Sequence, residues 1–91
     1  MTQLPEGLAE WVDAVAPELG IAPDDVPIEM LLAMTGQVAH GVVRPAAPVT
    51  AFVLGLALGR GSVTSSAEGE ALIRKAVAQW QAERPAGPGA R

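Results

Sequence analysis

The single histidine of the chain and a nearby arginine are the strongest candidates for binding chemistry. Arg44 follows His40 by four residues and precedes the segment Pro45-Ala46-Ala47-Pro48, where an apolar helix begins. A guanidinium suits bidentate contact with phosphate, and free amides at a helix N-terminus attract anions. His40, Arg44 and the amides of Ala46 and Ala47 therefore predict an anion-binding site. The alternative interpretation, which we favour, is that His40 caps the second predicted helix and Arg44 bonds its last carbonyls or pairs with one of the seven acids of residues 1–29, because cations are attracted to the carbonyls that end a helix.

Other combinations of residues that support catalysis are missing or far apart. With no Cys, no Tyr and one His, the chain lacks thiol–imidazole pairs and histidine-rich metal sites. A Ser-His-acid triad would need Ser62, Ser65 or Ser66 beside His40, but these serines follow the third predicted helix. That helix separates them from His40 by roughly 15 to 20 Å, at about 1.5 Å rise per residue. We therefore expect a protein that is not an enzyme, with no catalytic residue, metal or cofactor.

Charge is distributed unevenly along the chain. Residues 1–29 contain seven acidic residues and no basic one, whereas residues 30–67 contain only Arg44 and Arg60 as charged residues. Runs of charge usually mark solvated surface, so we expect an acidic outer helix face and a core formed by the middle third. A net charge of −4, without a basic patch, argues against a nucleic-acid partner.

Four segments have the apolar spacing of helices, and none alternates with the period of two that a strand shows. They lie near residues 8–16, 27–40, 49–59 and 66–82. Pro17 should end or kink the first helix, and Ser65 with Glu68 three residues later forms a capping-box pattern before the fourth. The third segment is nearly uncharged but shorter than the roughly 20 apolar residues that a bilayer requires. We therefore expect it to be a core helix surrounded by the others, with no membrane partner.

These segments predict an all-α fold, a compact bundle of four helices. Residues 1–82 would form a single helical domain. Residues 83–91 are rich in Pro and Gly and would form a disordered tail, because such a composition cannot bury apolar area.

Small residues recur every four positions along the third segment, at Ala51, Gly55 and Gly59. Such a stripe lets another helix approach closely. We expect tight packing within the chain, and the alternative is a self-association face that produces a homodimer. Gly59-Arg60-Gly61 lacks the lysine of a phosphate loop and is interpreted as the end and C-cap of the helix.

The run Val38-Ala39-His40-Gly41-Val42-Val43-Arg44-Pro45-Ala46-Ala47-Pro48-Val49-Thr50 resembles a small actinobacterial domain family of unknown function. Phe52, Leu54, Gly55 and Gly59 continue this likeness, and the helix Trp11 to Gly20 with Pro23-Asp24-Asp25-Val26 also fits. The resemblance covers about residues 8–82. His-Gly-x-x-Arg-Pro is its most specific part, and Pro17 departs from the better helix former expected there.

The resemblance implies a link to molybdenum cofactor biosynthesis. The family occurs alone or fused to molybdenum cofactor guanylyltransferase, the enzyme that makes molybdopterin-guanine dinucleotide. The first expected function is therefore a non-catalytic accessory or interaction module that binds this enzyme, or an anionic pterin or nucleotide group through Arg44 and His40. The second is a structural homo-oligomerisation module with no ligand. Met1 to Pro5 shows no secretory signal, so we expect a cytoplasmic protein.

Overall fold

A computed structural model of the chain describes residues 4–84, and within them it contains four α-helices, one short 3-10 helix and no strand. The elements are α1 (Leu8–Glu18), the 3-10 helix (Pro23–Asp25), α2 (Ile28–Gly41), α3 (Ala46–Arg60) and α4 (Ser66–Glu83). The predicted all-α bundle of four helices is confirmed. None of these helices is both long enough and apolar enough to cross a membrane.

The core lies between α2, α3 and α4, which pack against one another. Met34 and Val38 of α2 and Leu54 of α3 are buried at its centre. Partly buried apolar side chains surround them: Met30, Leu31, Val42, Ala46, Leu58, Ile73 and Val77. α2 is the central helix of this core, because it supplies two of the three central side chains.

The ends of α3 and α4 follow the local sequence signals. The Glu68 amide donates to the Ser65 Oγ over 3.0 Å at the start of α4. Gly61 ends α3 with a φ of 77°, and the Ser62 amide donates to the Ala57 carbonyl over 2.9 Å. A left-handed residue at this point is typical of a glycine C-cap. The predicted cap residues, Ser65 and Gly61, are therefore confirmed.

α1 ends at Glu18, two residues beyond the expected end near Ala16, and it includes Pro17. The missing amide of Pro17 removes only the hydrogen bond to the carbonyl of Asp13. Asp13 is exposed, so water is available to that carbonyl. Gly20, with a φ of 77°, then turns the chain away.

Glycines create the closest approaches between helices at two positions. A Cβ added to Gly41 would lie 2.7 Å from Cγ1 of Val77, which brings α2 against α4. A Cβ on Gly69 would overlap Cδ1 of Leu54, which brings α4 against α3. Neither position was predicted as a close contact.

The stripe Ala51, Gly55 and Gly59 does not pack tightly, so this prediction is wrong. A Cβ on Gly55 or Gly59 would meet no atom within 4 Å. The stripe instead lines an open groove of about 440 Å³ opposite the segment that joins α1 to α2. The physical reason is that this segment contributes one turn of 3-10 helix rather than an α-helix, so no ridge of side chains fills the stripe.

α3 is not surrounded by the other helices, contrary to expectation. Its outer side exposes Val49, Phe52, Val53 and Leu56. Among residues 4–84, α1 packs against the 3-10 helix and against no other helix. Because α1 does not cover α3, the side of α3 that carries Val49, Phe52, Val53 and Leu56 faces solvent.

Glu83, the first residue of the predicted tail, is the last residue of α4. Arg84 follows it, and the guanidinium carbon of Arg84 lies 3.5 Å from the centre of the Trp80 ring. Residues 85–91, the rest of the predicted tail, lie outside the described residues.

Candidate functional site

His40 lies in the last turn of α2 and is exposed. It lines a groove of about 480 Å³ between α2 and α4, and the other lining residues are Gln37, Gly41, Arg74, Val77, Ala78 and Gln81. Arg44 does not line this groove. The two predicted anion ligands therefore do not share a pocket. Arg44 is exposed in the turn between α2 and α3.

Arg74 is the cation that shares the groove with His40, and its guanidinium is already engaged. Its Nη2 donates to Oε2 of Glu70 over 2.7 Å, and its Nη1 donates to Oε1 of Gln37 over 2.7 Å. The pair with Glu70 is the (i, i+4) pair that helical spacing favours. The contact with Gln37 joins α4 to α2, and its separation of 37 residues leaves no local signal in the sequence.

The amides at the start of α3 are occupied within the chain. The Ala46 amide donates to the Val43 carbonyl over 3.0 Å, and the Ala47 amide donates to the Arg44 carbonyl over 3.1 Å. The expectation that these two amides are free for an anion is wrong. A tight turn precedes the helix, and it uses the donors that an anion would need.

The serines considered for a triad do not lie beside His40. Ser62 and Ser65 follow α3, and no serine lines the groove of His40. Within residues 4–84, no group of three or more His, Asp or Glu side chains is placed to hold a metal ion.

Glu68 has a perturbed carboxyl group with a structural cause. The Thr64 amide donates to Oε1 of Glu68 over 2.7 Å, and the Thr64 hydroxyl donates over 2.8 Å. Both hydrogen bonds lower the pKa of Glu68 from its usual value, and the bond from the Thr64 amide has the larger effect. Glu68 therefore completes the cap of α4 through Thr64 rather than through the Ser65 amide expected in a capping box.

A continuous apolar surface on α3 and α4 is the most developed candidate for binding. We call it the α3–α4 apolar surface and define it by Val49, Phe52, Val53 and Leu56 of α3 with Leu72, Ala76 and Trp80 of α4. Its α3 residues follow the spacing i, i+3, i+4 and i+7, which places them on one side of a helix.

Two shallow grooves join the two halves of this surface. One of about 290 Å³ is lined by Val53, Ala76 and Trp80 among others. The other, of about 180 Å³, is lined by Val53 and Leu72 among others. Val53 lines both grooves, so the exposed sides of α3 and α4 form one apolar surface.

Basic residues lie around the α3–α4 apolar surface. Arg60 follows Leu56 by one helical turn, Lys75 precedes Ala76, and Arg84 stacks on Trp80. Glu83, 3.6 Å from Arg84, partly offsets that charge. Since residues 30–67 carry no acid, the α3 side of the surface faces solvent with a cationic border.

The sequence contains the spacing that makes this surface, but it does not identify it. α3 is apolar on nearly every side, so its periodicity does not distinguish the outer face from the inner one. The signal that could have found it is Arg60, which extends the stripe of Val49, Phe52, Val53 and Leu56 and marks it as solvated.

The chain matches the model of a known domain family. The model of a family described as "Domain of unknown function (DUF6457)" matches residues 3–88. No curated protein and no solved structure matches the chain. Because the match covers nearly the whole sequence, the chain belongs to this family. The expected membership in a domain family of unknown function is therefore confirmed.

Proposed function

We propose that this member of the family is a non-catalytic interaction module that binds a partner protein through the α3–α4 apolar surface. The observation that carries the proposal is the exposure of four large apolar side chains at helical spacing on α3. Soluble domains rarely leave contiguous apolar surface uncovered unless it serves an interaction. An apolar surface bordered by two helices suits an amphipathic helix of the partner.

The partner that we propose is a molybdenum cofactor guanylyltransferase. Support comes from the likeness of His40–Pro45 and Pro23–Val26 to a small actinobacterial domain that occurs alone or fused to this enzyme. A domain found in both arrangements is expected to contact the enzyme in either one. The proposed role is therefore accessory to the synthesis of molybdopterin-guanine dinucleotide.

The partner assignment is tested by calorimetric titration of the purified chain with the guanylyltransferase of the same organism. Phe52→Ser should weaken binding about tenfold or more, because large apolar residues at the centre of an interface carry most of its energy. Leu32→Ser is the matched control, since Leu32 is an exposed apolar residue of α2 outside the α3–α4 apolar surface. It should bind as the natural chain does.

Each failure of this experiment has a distinct meaning. If the guanylyltransferase does not bind at micromolar concentrations, the partner is wrong. If it binds Phe52→Ser as tightly as the natural chain, the α3–α4 apolar surface is not its binding site.

A second candidate function is a homo-oligomerisation module without a ligand. The observation that favours it is the open groove beside Ala51, Gly55 and Gly59, where an added Cβ on either glycine meets no atom. Gly55→Leu should alter association of the chain with itself if this groove is the contact, whereas Leu32→Ser should not.

A further inference from the structure

α1 is an amphipathic helix whose apolar side is only partly covered, and Leu19 follows its last residue. Among residues 4–84 it packs against the 3-10 helix and no other helix. Trp11 is 61% exposed and Leu19, eight residues later, is 76% exposed. Val15 lies midway between them on the same side of the helix, at the spacing i, i+4 and i+8.

The charges of α1 and of the α3–α4 apolar surface are opposite in sign. α1 carries Glu10, Asp13 and Glu18, and residues 1–29 contain no basic residue. The surface is bordered by the bases Arg60, Lys75 and Arg84 and by the acids Glu68 and Glu83, so its border has a net charge of +1 (three bases minus two acids). Opposite charges around an apolar contact steer association and fix orientation.

The exposed apolar residues of α1 and those of α4 also extend over similar lengths. Trp11 and Leu19 are eight residues apart, which is roughly 12 Å at about 1.5 Å rise per residue. Leu72 and Trp80 are also eight residues apart, so the receiving side offers apolar contacts over the same length. The groove beside Val53, with a volume of about 290 Å³, lies within that length.

α1 is not positioned to cover this surface in its own chain. It is held against the 3-10 helix, and Ala16 is buried there. The segment after α1 borders α3 on the side of Ala51, Gly55 and Gly59. Val53 lies on the opposite side of α3 from Gly55, because residues two positions apart in a helix are separated by about 200° around its axis, and α1 makes no contact with α3 or α4.

We propose that the occupant of the α3–α4 apolar surface is α1 of a second copy of this chain. Each copy offers one α1 and one surface, so two copies form a reciprocal dimer in which both contacts are made twice. Trp11 and Leu19 of one copy contact Phe52, Val53 and Trp80 of the other. This inference rests on the proposed interaction surface and names what fills it when no other protein is bound.

Sedimentation velocity and tryptophan fluorescence, measured from low micromolar to submillimolar concentration, test the dimer. In the natural chain, the mass should rise from monomer to dimer with concentration. The chain has two tryptophans, so Trp80→Phe leaves Trp11 as the single reporter. Its emission should shift to shorter wavelength over the same concentrations at which the mass doubles.

Mixing two variants distinguishes the reciprocal dimer from other contacts. Trp11→Ser and Phe52→Ser should each weaken dimerisation about tenfold or more. Their mixture should form more dimer than either variant alone, because one intact α1 then meets one intact surface. Leu32→Ser should dimerise normally, and circular dichroism should show that all three variants are folded.

Three results would overturn this proposal. They are a natural chain that stays monomeric throughout, a Trp11 emission that is already shifted and independent of concentration, and mixed variants that show no gain. The second result would mean that α1 covers the surface of its own chain. Guanylyltransferase binding sensitive to Phe52→Ser, by a chain that stays monomeric, would overturn the dimer alone and leave the proposed function standing.

Discussion

α2 and α3 have similar apolar content but different surroundings. α2 buries Met34 and Val38 between α3 and α4, whereas α3 buries Leu54 and exposes Phe52 to 69%. The contact of α2 with α4 is tight enough that Gly41 has no room for a Cβ. The groove beside that contact is lined by polar side chains such as His40 and Arg74, whereas the grooves between the outer sides of α3 and α4 are lined mainly by apolar side chains such as Val53.

The difference shows that an apolar helix in a small bundle is not necessarily a buried one. When three helices pack against one another, each keeps an outer side that no other helix covers. α1 does not cover the outer side of α3. α2 exposes the charged Glu29, and its Gln37 lies beside α4, where Oε1 accepts a hydrogen bond from Arg74. α3 places apolar residues on its outer side, so its surplus of apolar area is available for an intermolecular contact.

The largest expected effect is the loss of stability when a buried side chain of α2 is truncated. Met34→Ala should lower the free energy of unfolding by about 2 to 5 kcal/mol, the range for removing a large buried side chain. Met34 is 1% exposed, so its truncation leaves a cavity. Denaturant titration of the purified chain at low concentration, where it is monomeric, measures the change.

Phe52→Ala is the matched comparison on α3. It should change the free energy of unfolding by less than about 0.5 kcal/mol, as exposed substitutions generally do. A loss at Phe52 as large as that at Met34 would show that the outer side of α3 is covered within a single chain, and the contrast between the two helices would not hold.

A smaller effect compares glycines in the two helices. Gly41→Ala should destabilise the chain by about 1 to 3 kcal/mol, because its Cβ would overlap Val77 and overpacking has costs in this range. Gly55→Ala should stabilise the chain by about 0.5 to 1 kcal/mol, since its Cβ meets nothing and alanine favours helix. The midpoint of thermal unfolding should therefore fall for Gly41→Ala and rise for Gly55→Ala.

A fall in stability for both glycine variants would indicate that α3 has a close neighbour in solution. Repeating the measurement at low and high protein concentration would identify that neighbour. A cost at Gly55 that appears at high concentration alone would place it in a contact between copies.

Local features of the fold were predictable from sequence because they depend on residues within one helical turn. Ser65 and Gly61 cap the ends that their positions indicate, and Arg74 pairs with Glu70. The contacts of Gly41 and Gly69 were not predictable, because each depends on a residue of a different helix. Glycine was instead expected to matter at Gly55, where the stripe is regular but no partner faces it.

The candidate site was predictable to a smaller extent. His40 and Arg44 are near each other in sequence, but the end of α2 between them directs His40 toward α4 and leaves Arg44 in the turn. The α3–α4 apolar surface depends on where α1 lies. That position depends on how the segment around the 3-10 helix packs, and apolar spacing carries no information about it.

The smallest expected effect concerns anion binding by His40 and Arg44. Both side chains are exposed, and the nearest amides are occupied by the turn. Binding would therefore rest on charged side chains that salt screens. We expect pyrophosphate or guanosine monophosphate to shift the amide resonances of residues 40–50 only at millimolar ligand, and less at higher salt.

Substitutions at three arginines would sharpen this expectation. Arg44→Ala should abolish the shifts and Arg44→Lys should reduce them, because an ammonium lacks the planar fork of the guanidinium. Arg60→Ala, at the other end of α3, should leave them unchanged. If the shifts instead disappear in Arg74→Ala and persist in Arg44→Ala, the anion occupies the groove between α2 and α4 that His40 shares with Arg74. The contrast between the polar groove beside α2 and the apolar outer side of α3 would then extend to binding, with a polar ligand in the groove and an apolar partner on α3.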